Sequence, residues 1–182
     1  MDEVELIHSI LEGDQQNYTI LIKQYQSSVF RTAMGLLHNK EDAEEIAQDV
    51  FVKVYQSLSS YNGKAAFSTW LYRITVNTSL NFLRKKKRKT FWAGLADMLQ
   101  VASKDKSAEA LLTERSDHAV IQQALDALPE KQRLAFVFTK YEELPQRQAA
   151  EIMNISEGAV EQLVIRAKNN LKKILEKEGY GA

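Results

Sequence analysis

One stretch of this chain limits the folds it can adopt, because it predicts a long helix with three different faces. Ser68 is a candidate N-cap, and successive residues of a helix that begins there lie about 100° apart. One narrow face, here called the polar stripe, carries Trp70, Arg73, Asn77, Asn81, Arg84 and Arg88. A second face carries Phe67, Leu71, Ile74, Thr78 and Phe82, and a third carries Tyr72, Val76, Leu80 and Leu83. We therefore expect this helix to pack against neighbours on two sides.

The same region is strongly basic, although the whole chain is neutral. Residues 61–92 hold eight basic side chains and no acidic one, whereas residues 1–60 carry a net charge of −6. The eight are Lys64, Arg73, Arg84, Lys85, Lys86, Lys87, Arg88 and Lys89. Such segregation indicates two kinds of partner, of which one is a nucleic acid. The alternative interpretation is a solvated basic helix end with Trp70 in the core.

The residue types of this region suit an unpaired nucleic acid strand. Amides pair with base edges, guanidinium groups pair with phosphates, and aromatic rings stack on bases at about 1 to 3 kcal/mol each. A loop with turn chemistry precedes the helix and adds Tyr61, Asn62 and Lys64 as candidate contacts.

Composition narrows the class of protein. The 182 residues include two prolines, seven glycines and 45% hydrophobic residues, which predicts a mostly helical chain of one large or two small domains. The absence of cysteine excludes disulfides and thiolate chemistry. Because no apolar run approaches eighteen residues and the start lacks a signal peptide, we expect a cytoplasmic protein without membrane insertion.

Three helices are predicted before the basic region. The first ends at Gly13, the second follows Asp14, and the third covers residues 42–58 with an apolar stripe. The opposite side of the third helix carries Glu41, Glu44, Glu45, Gln48 and Asp49. This acidic face is either solvated or a docking surface for a basic partner. We interpret His8 and His38 as structural or surface residues, and we predict no metal site.

A second helical domain is predicted from Asp117 onwards. Pro145 suits the first turn of a helix, Asn154 a left-handed turn, and Ser156 the N-cap of a long final helix. Two helices joined by so tight a turn are typical of a helix-turn-helix, although any helical hairpin shares the pattern.

The sequence DAEEIAQDVFVKVYQSL followed by FSTWLYRITVNTSLNFLRKKKR resembles the second conserved region of the extracytoplasmic-function (ECF) sigma factors of bacterial RNA polymerase. The resemblance implies that Glu45, Gln48 and Asp49 bind the clamp helices of the largest polymerase subunit. It also implies that Tyr61, Asn77 and Asn81 help to capture the unstacked non-template strand of the downstream promoter element.

The sequence LPQRQAAEIMNISEGAVEQLVIRAKNNL resembles the fourth region of the same family, which reads the upstream promoter element as duplex DNA. The candidate contacts there are Ser156, Glu157, Gly158, Glu161, Gln162 and Arg166. Many family members carry basic residues where this chain has Glu161 and Leu163. We therefore expect this helix to bind DNA phosphates weakly. The family also commonly has an anti-sigma protein, in some cases membrane-bound, as a partner.

The predicted architecture is all-α, with two helical domains at 1–90 and 117–182 joined by a linker at 91–116, and with the helix-turn-helix in the second domain. The predicted function is that of a sigma factor that binds core RNA polymerase and promoter DNA, has no catalytic activity and requires no cofactor. A stand-alone helix-turn-helix regulator is the alternative. A nucleic-acid-processing enzyme is disfavoured, because neither a Gly-rich phosphate loop nor a convergent group of carboxylates is evident.

Overall fold

The computed structural model describes the backbone of residues 3–100 and 117–179, and the side chains of residues 3–89 and 119–179. The first domain contains α1 (Glu3–Leu11), α2 (Gln15–Leu37), α3 (Lys40–Ser57), a 3-10 turn (Leu58–Ser60) and α4 (Phe67–Gln100). The second contains α5 (Asp117–Asp126), α6 (Glu130–Phe136), a π-helical turn (Val137–Tyr141), α7 (Gln146–Met153) and α8 (Glu157–Lys177). The all-α prediction is confirmed.

Short polar residues set the early helix boundaries, as their capping chemistry predicts. The Asp14 carboxylate accepts a hydrogen bond from the Gln16 amide at 3.0 Å and so caps α2, which begins at Gln15. Gly13, just before this cap, has a φ of 105°. The Asn39 side chain accepts from the Asp42 amide at 2.8 Å and begins α3. Between them His38 adopts the left-handed conformation that ends α2.

The prediction that Ser68 caps α4 is wrong by two positions. The Trp70 amide donates to the Ala66 carbonyl at 3.2 Å, so the helix begins at Phe67 and Ser68 lies in its first turn. At its other end α4 continues to Gln100, into residues predicted as linker, for which the sequence also allows a short helix. Those residues, FWAGLADMLQ, are mostly good helix formers. The rest of the predicted linker, 101–116, lies outside the described residues.

The core of the first domain lies between α1, α2, α3 and the second face of α4. Phe67, at the start of that face, is fully buried, as are Leu21 from α2 and Val50 and Val54 from α3. The apolar stripe predicted for α3 is therefore the face that this helix buries.

The third face of α4 packs against the second domain. Tyr72, Val76 and Leu80 form one buried cluster with apolar residues of α6, the π-helical turn, α7 and α8. The rings of Tyr72 and Phe138 meet edge to face with their centroids 6.2 Å apart. Helix α4 thus belongs to two cores, and the two domains pack against each other through it.

The predicted helix-turn-helix is present as α7, a tight turn and α8. Asn154 lies in the turn at φ 54° and ψ 49°, and the Ser156 hydroxyl accepts from the Ala159 amide at 3.2 Å. Val160 is fully buried, and Ile155 packs against the same cluster. This turn fixes how α8 leaves the domain and which side of it faces solvent.

Candidate nucleic-acid and polymerase interfaces

The polar stripe keeps most of its length in solvent. Asn77, Asn81, Arg84 and Arg88 are exposed, and Arg73 is half-buried. In the preceding loop, Asn62 and Lys64 are exposed, and the Asn62 side chain accepts from the Lys64 amide at 3.1 Å. Two carboxamides and several cations therefore lie along one accessible edge of an otherwise packed helix.

Tyr61 and Trp70 belong to an aromatic cluster at the start of α4. Their ring centroids are 5.5 Å apart, and each ring also lies 5.5 Å from Phe67. The Tyr61 hydroxyl donates to the Ala65 carbonyl at 2.7 Å, and partial burial raises the pKa of this phenol. Both rings are half-buried against the first-domain core. Trp70 therefore packs against Tyr61, and both rings keep part of their surface in solvent.

Two arginines of the stripe are bound to the second domain. The Arg73 guanidinium donates to the main-chain carbonyls of Glu151 at 2.5 Å and Ile152 at 3.3 Å. The Arg84 guanidinium nitrogen Nη2 lies 3.0 Å from both carboxylate oxygens of Glu130. In this arrangement neither side chain is directed only at solvent.

A cleft of about 400 Å³ separates the stripe from the second domain between these two contacts. Asn77 lines it on the α4 side, and Lys131, Asn154 and Ile155 line the opposite wall. The central amide of the stripe and the turn of the helix-turn-helix therefore face the same cleft.

The second candidate DNA surface is the outer side of α8. All six predicted contacts are exposed: Ser156, Glu157, Gly158, Glu161, Gln162 and Arg166. The Glu157 carbonyl accepts from the Gln146 side chain at 2.7 Å, which ties the start of α8 to α7. Adding a Cβ at Gly158 would meet no atom within 4 Å, so this glycine lies at an open surface.

Glu45, Gln48 and Asp49 are exposed on α3, on the side opposite the buried Ile46 and Val50. The structure thus brings the three predicted polymerase-binding residues together on one solvent-facing surface. This arrangement is what a docking face for a basic partner requires.

An apolar groove adjoins this acidic face and was not predicted from the sequence. It has a volume of about 500 Å³ and runs between α2 and α3, with Gln48 at its edge. Val52 and Tyr55 line it and remain 56% and 49% exposed, so apolar surface is available beside the charges. The sequence does contain a signal for Val52 and Tyr55, because both are hydrophobic although they lie outside the apolar stripe of α3.

Tyr18 of α2 is one of the residues that line the groove. Its ring meets that of Tyr55 with centroids 5.0 Å apart and an interplanar angle of 60°. Its hydroxyl donates to the Phe51 carbonyl, and burial raises its pKa to about 12. Tyr18 therefore lines the groove as a neutral phenol whose hydroxyl is already hydrogen-bonded.

Within the part of the chain that the structure describes, no cluster of three histidine or acidic side chains could hold a metal ion. The same residues contain no helix long and apolar enough to span a membrane.

Comparison with known proteins places these surfaces in a family. Residues 21–89 match Sigma-70 region 2 and residues 118–171 match Sigma-70 region 4. The chain is 30% identical to the ECF RNA polymerase sigma factor SigW of Bacillus subtilis, over 93% of this chain and 94% of that protein. The chain belongs to the ECF RNA polymerase sigma factors. It is also similar to the RNA polymerase sigma-H factor of Pseudomonas aeruginosa, at 27% identity over 94% of this sigma factor and 93% of that one.

Solved structures share the fold of this sigma factor. CnrH, solved in complex with the cytosolic domain of CnrY, matches with a TM-score of 0.66 and 22% identity, over 94% of this chain and 96% of that one. The sigma factor RpoE of Bartonella quintana, solved in complex with the anti-sigma factor NepR, matches with a TM-score of 0.62 and 21% identity, over 88% and 98%. The region 2 match contains the acidic face, the groove edge on α3 and the polar stripe, and the region 4 match contains the helix-turn-helix.

Proposed function

We propose that this sigma factor binds core RNA polymerase through α3, recognises the upstream promoter element through α8, and captures an unpaired strand of the downstream element on the polar stripe. One observation carries the proposal: α4 is packed on its second and third faces, yet Asn77, Asn81 and Arg88 of the polar stripe remain in solvent. Exposed amides and cations on a rigid helix suit base edges and phosphates.

Polymerase docking combines charge and apolar contact. Glu45, Gln48 and Asp49 supply hydrogen-bond acceptors and negative charge for basic residues of the clamp helices of the largest subunit. The groove beside Gln48 supplies apolar area, through Val52 and Tyr55, which charge pairs alone would lack. Interfaces usually depend on such a small apolar centre with a polar rim.

Strand capture requires the sigma factor to bind bases rather than to carry out chemistry. Asn77 and Asn81 are placed to pair with exposed base edges, while the Tyr61 ring at the start of the helix offers a stacking surface. Arg88 and the neighbouring lysines neutralise phosphates without reading sequence. We therefore propose no catalytic role and no cofactor for any of these residues, and we place the protein's action in the cytoplasm, where core polymerase works.

The upstream element is expected to be read weakly by α8 alone. Glu157 and Glu161 repel phosphates, although a carboxylate can accept a hydrogen bond from a cytosine amino group. Specificity then depends on linkage, because a polymerase that holds both domains on one promoter raises the effective concentration of each for its element. An anti-sigma partner is also proposed, supported by the complex of the Bartonella sigma factor with NepR.

Transcription with purified components tests the proposal. Core polymerase with this protein should give discrete run-off products on genomic DNA, and core polymerase alone should not. The protein should also co-purify with core polymerase. A stand-alone helix-turn-helix regulator would bind DNA but would neither co-purify nor support initiation.

A further inference from the structure

The loop that precedes α4 contains an asparagine followed directly by a glycine, Asn62 and Gly63, and no other asparagine in the sequence precedes a glycine. The Asn62 side chain is exposed, and Gly63 adopts a φ of 70°. A Cβ built at Gly63 would meet no atom within 4 Å, so this part of the loop is open to water. Because glycine has no side chain to hinder approach, its backbone nitrogen is well placed to attack the preceding carboxamide.

A hydrogen bond holds the Asn62 side chain over the following peptide. Its oxygen Oδ1 accepts from the Lys64 amide at 3.1 Å, which folds the carboxamide back across Gly63. The same bond would stabilise negative charge on Oδ1 in a tetrahedral intermediate, as a donor of an oxyanion hole does. Among the residues that the structure describes, none is hydrogen-bonded to the Gly63 amide nitrogen, so this nitrogen is available as a nucleophile.

Two other asparagines at turns lack this combination. The Asn39 side chain also accepts from a main-chain amide, that of Asp42, but the next residue is Lys40, the first residue of α3. Asn154 lies in the left-handed turn before α8, but the next residue is Ile155, whose β-branched side chain is partly buried. The nucleophile is therefore hindered by a helix start in one case and by a branched side chain in the other.

From this geometry we propose that Asn62 deamidates spontaneously and that the reaction removes strand capture from the folded protein. The Gly63 nitrogen bonds to Cγ of Asn62, the bond from Cγ to Nδ2 breaks, and ammonia leaves with the proton that Gly63 loses. Water then opens the resulting succinimide ring. Cleavage of the bond to Cγ gives aspartate, and cleavage of the bond to the main-chain carbonyl carbon gives isoaspartate. Water is the only co-reactant.

Both products place a negative charge where the strand is expected to bind. The new carboxylate lies within residues 61–92, which otherwise hold eight basic side chains and no acidic one. The reaction also removes the N–H donors of the carboxamide, so residue 62 can then only accept hydrogen bonds. The charge repels phosphates beside the exposed Lys64.

Isoaspartate has a second effect, because it adds one methylene group to the main chain. The loop is closed by the Tyr61 hydroxyl, which donates to the Ala65 carbonyl at 2.7 Å. The Tyr61 ring in turn lies 5.5 Å from the rings of Phe67 and Trp70. A longer main chain between Tyr61 and Ala65 cannot keep both contacts unchanged, so the stacking surface would shift relative to α4.

This inference rests on the proposed role of the loop in strand capture and adds a chemical limit to how long the protein keeps that role. The acidic face of α3 and the outer side of α8 belong to other elements. Modified protein should therefore still bind core polymerase and duplex DNA. Deamidation is expected to separate docking from promoter opening.

Ageing of the full chain tests the chemistry. The protein is kept at pH 8 for a week and digested with trypsin, which releases residues 54–64 as a peptide whose one asparagine is Asn62. Tandem mass spectrometry reports replacement of NH2 by OH at residue 62, and chromatography separates the aspartate and isoaspartate products. Peptides 32–40 and 148–166, which carry Asn39 and Asn154, are internal controls.

Peptide 54–64 should convert roughly tenfold faster than either control, because only its nucleophile is unhindered and close to the carboxamide. Conversion of all three peptides at the same rate would overturn the proposed chemistry.

Strand binding by the same samples tests the consequence. Affinity for fluorescein-labelled oligothymidylate of twenty nucleotides should fall in step with conversion. Asn62→Asp, which imitates one product, should bind the oligonucleotide roughly two- to fivefold more weakly, the scale of one exposed charge. Gln24→Glu makes the same change from amide to carboxylate at an exposed position of α2 and should not alter the affinity.

Asn62→Gln separates the reaction from other effects of ageing. Its longer side chain would have to close a six-membered ring, which forms less readily, so this variant should keep its own starting affinity throughout. Loss of affinity at the same rate in Asn62→Gln would overturn the inference. Full strand affinity in converted protein and in Asn62→Asp would overturn it as well.

Promoter opening by the reconstituted polymerase separates this inference from the proposed function. If Asn77→Ala leaves opening intact, the stripe does not capture the strand and the proposed function fails at that point. If Asn77→Ala impairs opening while converted protein opens promoters as fast as fresh protein, the proposed function stands and deamidation does not control strand capture.

Discussion

The Arg31 Nε atom on α2 lies 3.5 Å from the carboxylate of Glu142, whose side chain is wholly buried between the two domains. This distance is too long for a good hydrogen bond, and neither carboxylate oxygen has a hydrogen-bond partner in the described residues. Burial raises the pKa of Glu142 above its ordinary 4.5, and Arg31 only partly opposes the effect. Tyr72 faces the same group, and its pKa is raised mainly by burial and further by the Glu142 charge.

Glu142 is therefore expected to weaken the domain contact as pH rises. Its pKa is higher in the packed state than in water, so the packed state binds the proton more tightly. Stability of the contact is greatest below the ordinary carboxyl pKa and falls as pH rises through the raised value. Glu142→Gln should stabilise the packed state at pH 8 by on the order of 1 kcal/mol, the scale of an unsatisfied buried group. Urea unfolding of the wild type and of Glu142→Gln at pH 5 and pH 8 measures this difference in stability.

The exposed neighbour Glu143→Gln is the control for this change. It should alter neither stability nor its dependence on pH. If Glu142→Gln instead lowered stability at pH 8, the ion pair with Arg31 would outweigh the cost of burying the carboxylate.

Gln48→Ala combined with Asp49→Ala should weaken binding to core polymerase at least tenfold, roughly the loss of 1.4 kcal/mol or more. Both side chains are exposed and make no contribution to the first-domain core, so the helical signal and melting temperature should change little. Titration of core polymerase with labelled protein measures the affinity. Gln24→Ala, exposed on α2, should bind normally, and full binding by the double variant would rule out this face of α3.

Asn77→Ala should impair promoter opening more than formation of the closed complex. Its side chain is exposed, so the substitution removes hydrogen-bonding groups without leaving a cavity. A single-strand-specific chemical probe follows opening, and gel mobility follows closed-complex formation. Equal losses in the two assays would point to a different role for Asn77.

Tyr61 needs a gentler substitution, because Tyr61→Ala would also disturb the aromatic cluster with Phe67 and Trp70. Tyr61→Phe removes only the hydroxyl that donates to the Ala65 carbonyl and keeps the ring. It should retain most strand capture if the ring stacks on a base.

Arg88→Ala should lower affinity for every DNA sequence and reduce the slope of log K against log salt by about one, because one phosphate contact releases roughly one counterion. Arg88 is exposed, which makes it a cleaner probe than Arg84, whose guanidinium is bound to Glu130. Filter binding at four salt concentrations gives the slope. An unchanged slope would show that Arg88 does not meet a phosphate.

Glu161→Lys should strengthen non-specific duplex binding and increase its salt dependence, since it replaces a repelling charge with an attracting one on the exposed side of α8. Gln162→Ala and Arg166→Ala should reduce promoter-dependent transcription instead. Binding to random duplex DNA and run-off transcription separate the two effects. If Glu161→Lys raised neither binding nor salt dependence, Glu161 would point away from DNA.

The amino-acid sequence by itself determined the elements and their faces. The three faces of α4, the caps at Asp14 and Ser156 and the left-handed turn at Asn154 were predictable, because capping and helical periodicity act within one or two turns of chain. The exposed positions of Glu45, Gln48 and Asp49 follow from the same periodicity. Capping and periodicity predicted the ends of α4 less well. The helix begins at Phe67, one residue before the proposed cap Ser68, and it continues into the predicted linker.

Only the tertiary structure decided what covers each face. Periodicity shows that Tyr72, Val76 and Leu80 need a neighbour but does not identify it, because their second-domain partners lie between 54 and 88 residues away along the chain. The same holds for Arg73, whose hydrogen-bond partners are separated from it by 78 and 79 residues. The buried carboxylate of Glu142 and the open apolar groove at Tyr55 depend on how whole helices pack. Such long-range contacts are selected by shape and charge complementarity between complete elements, which no local pattern records.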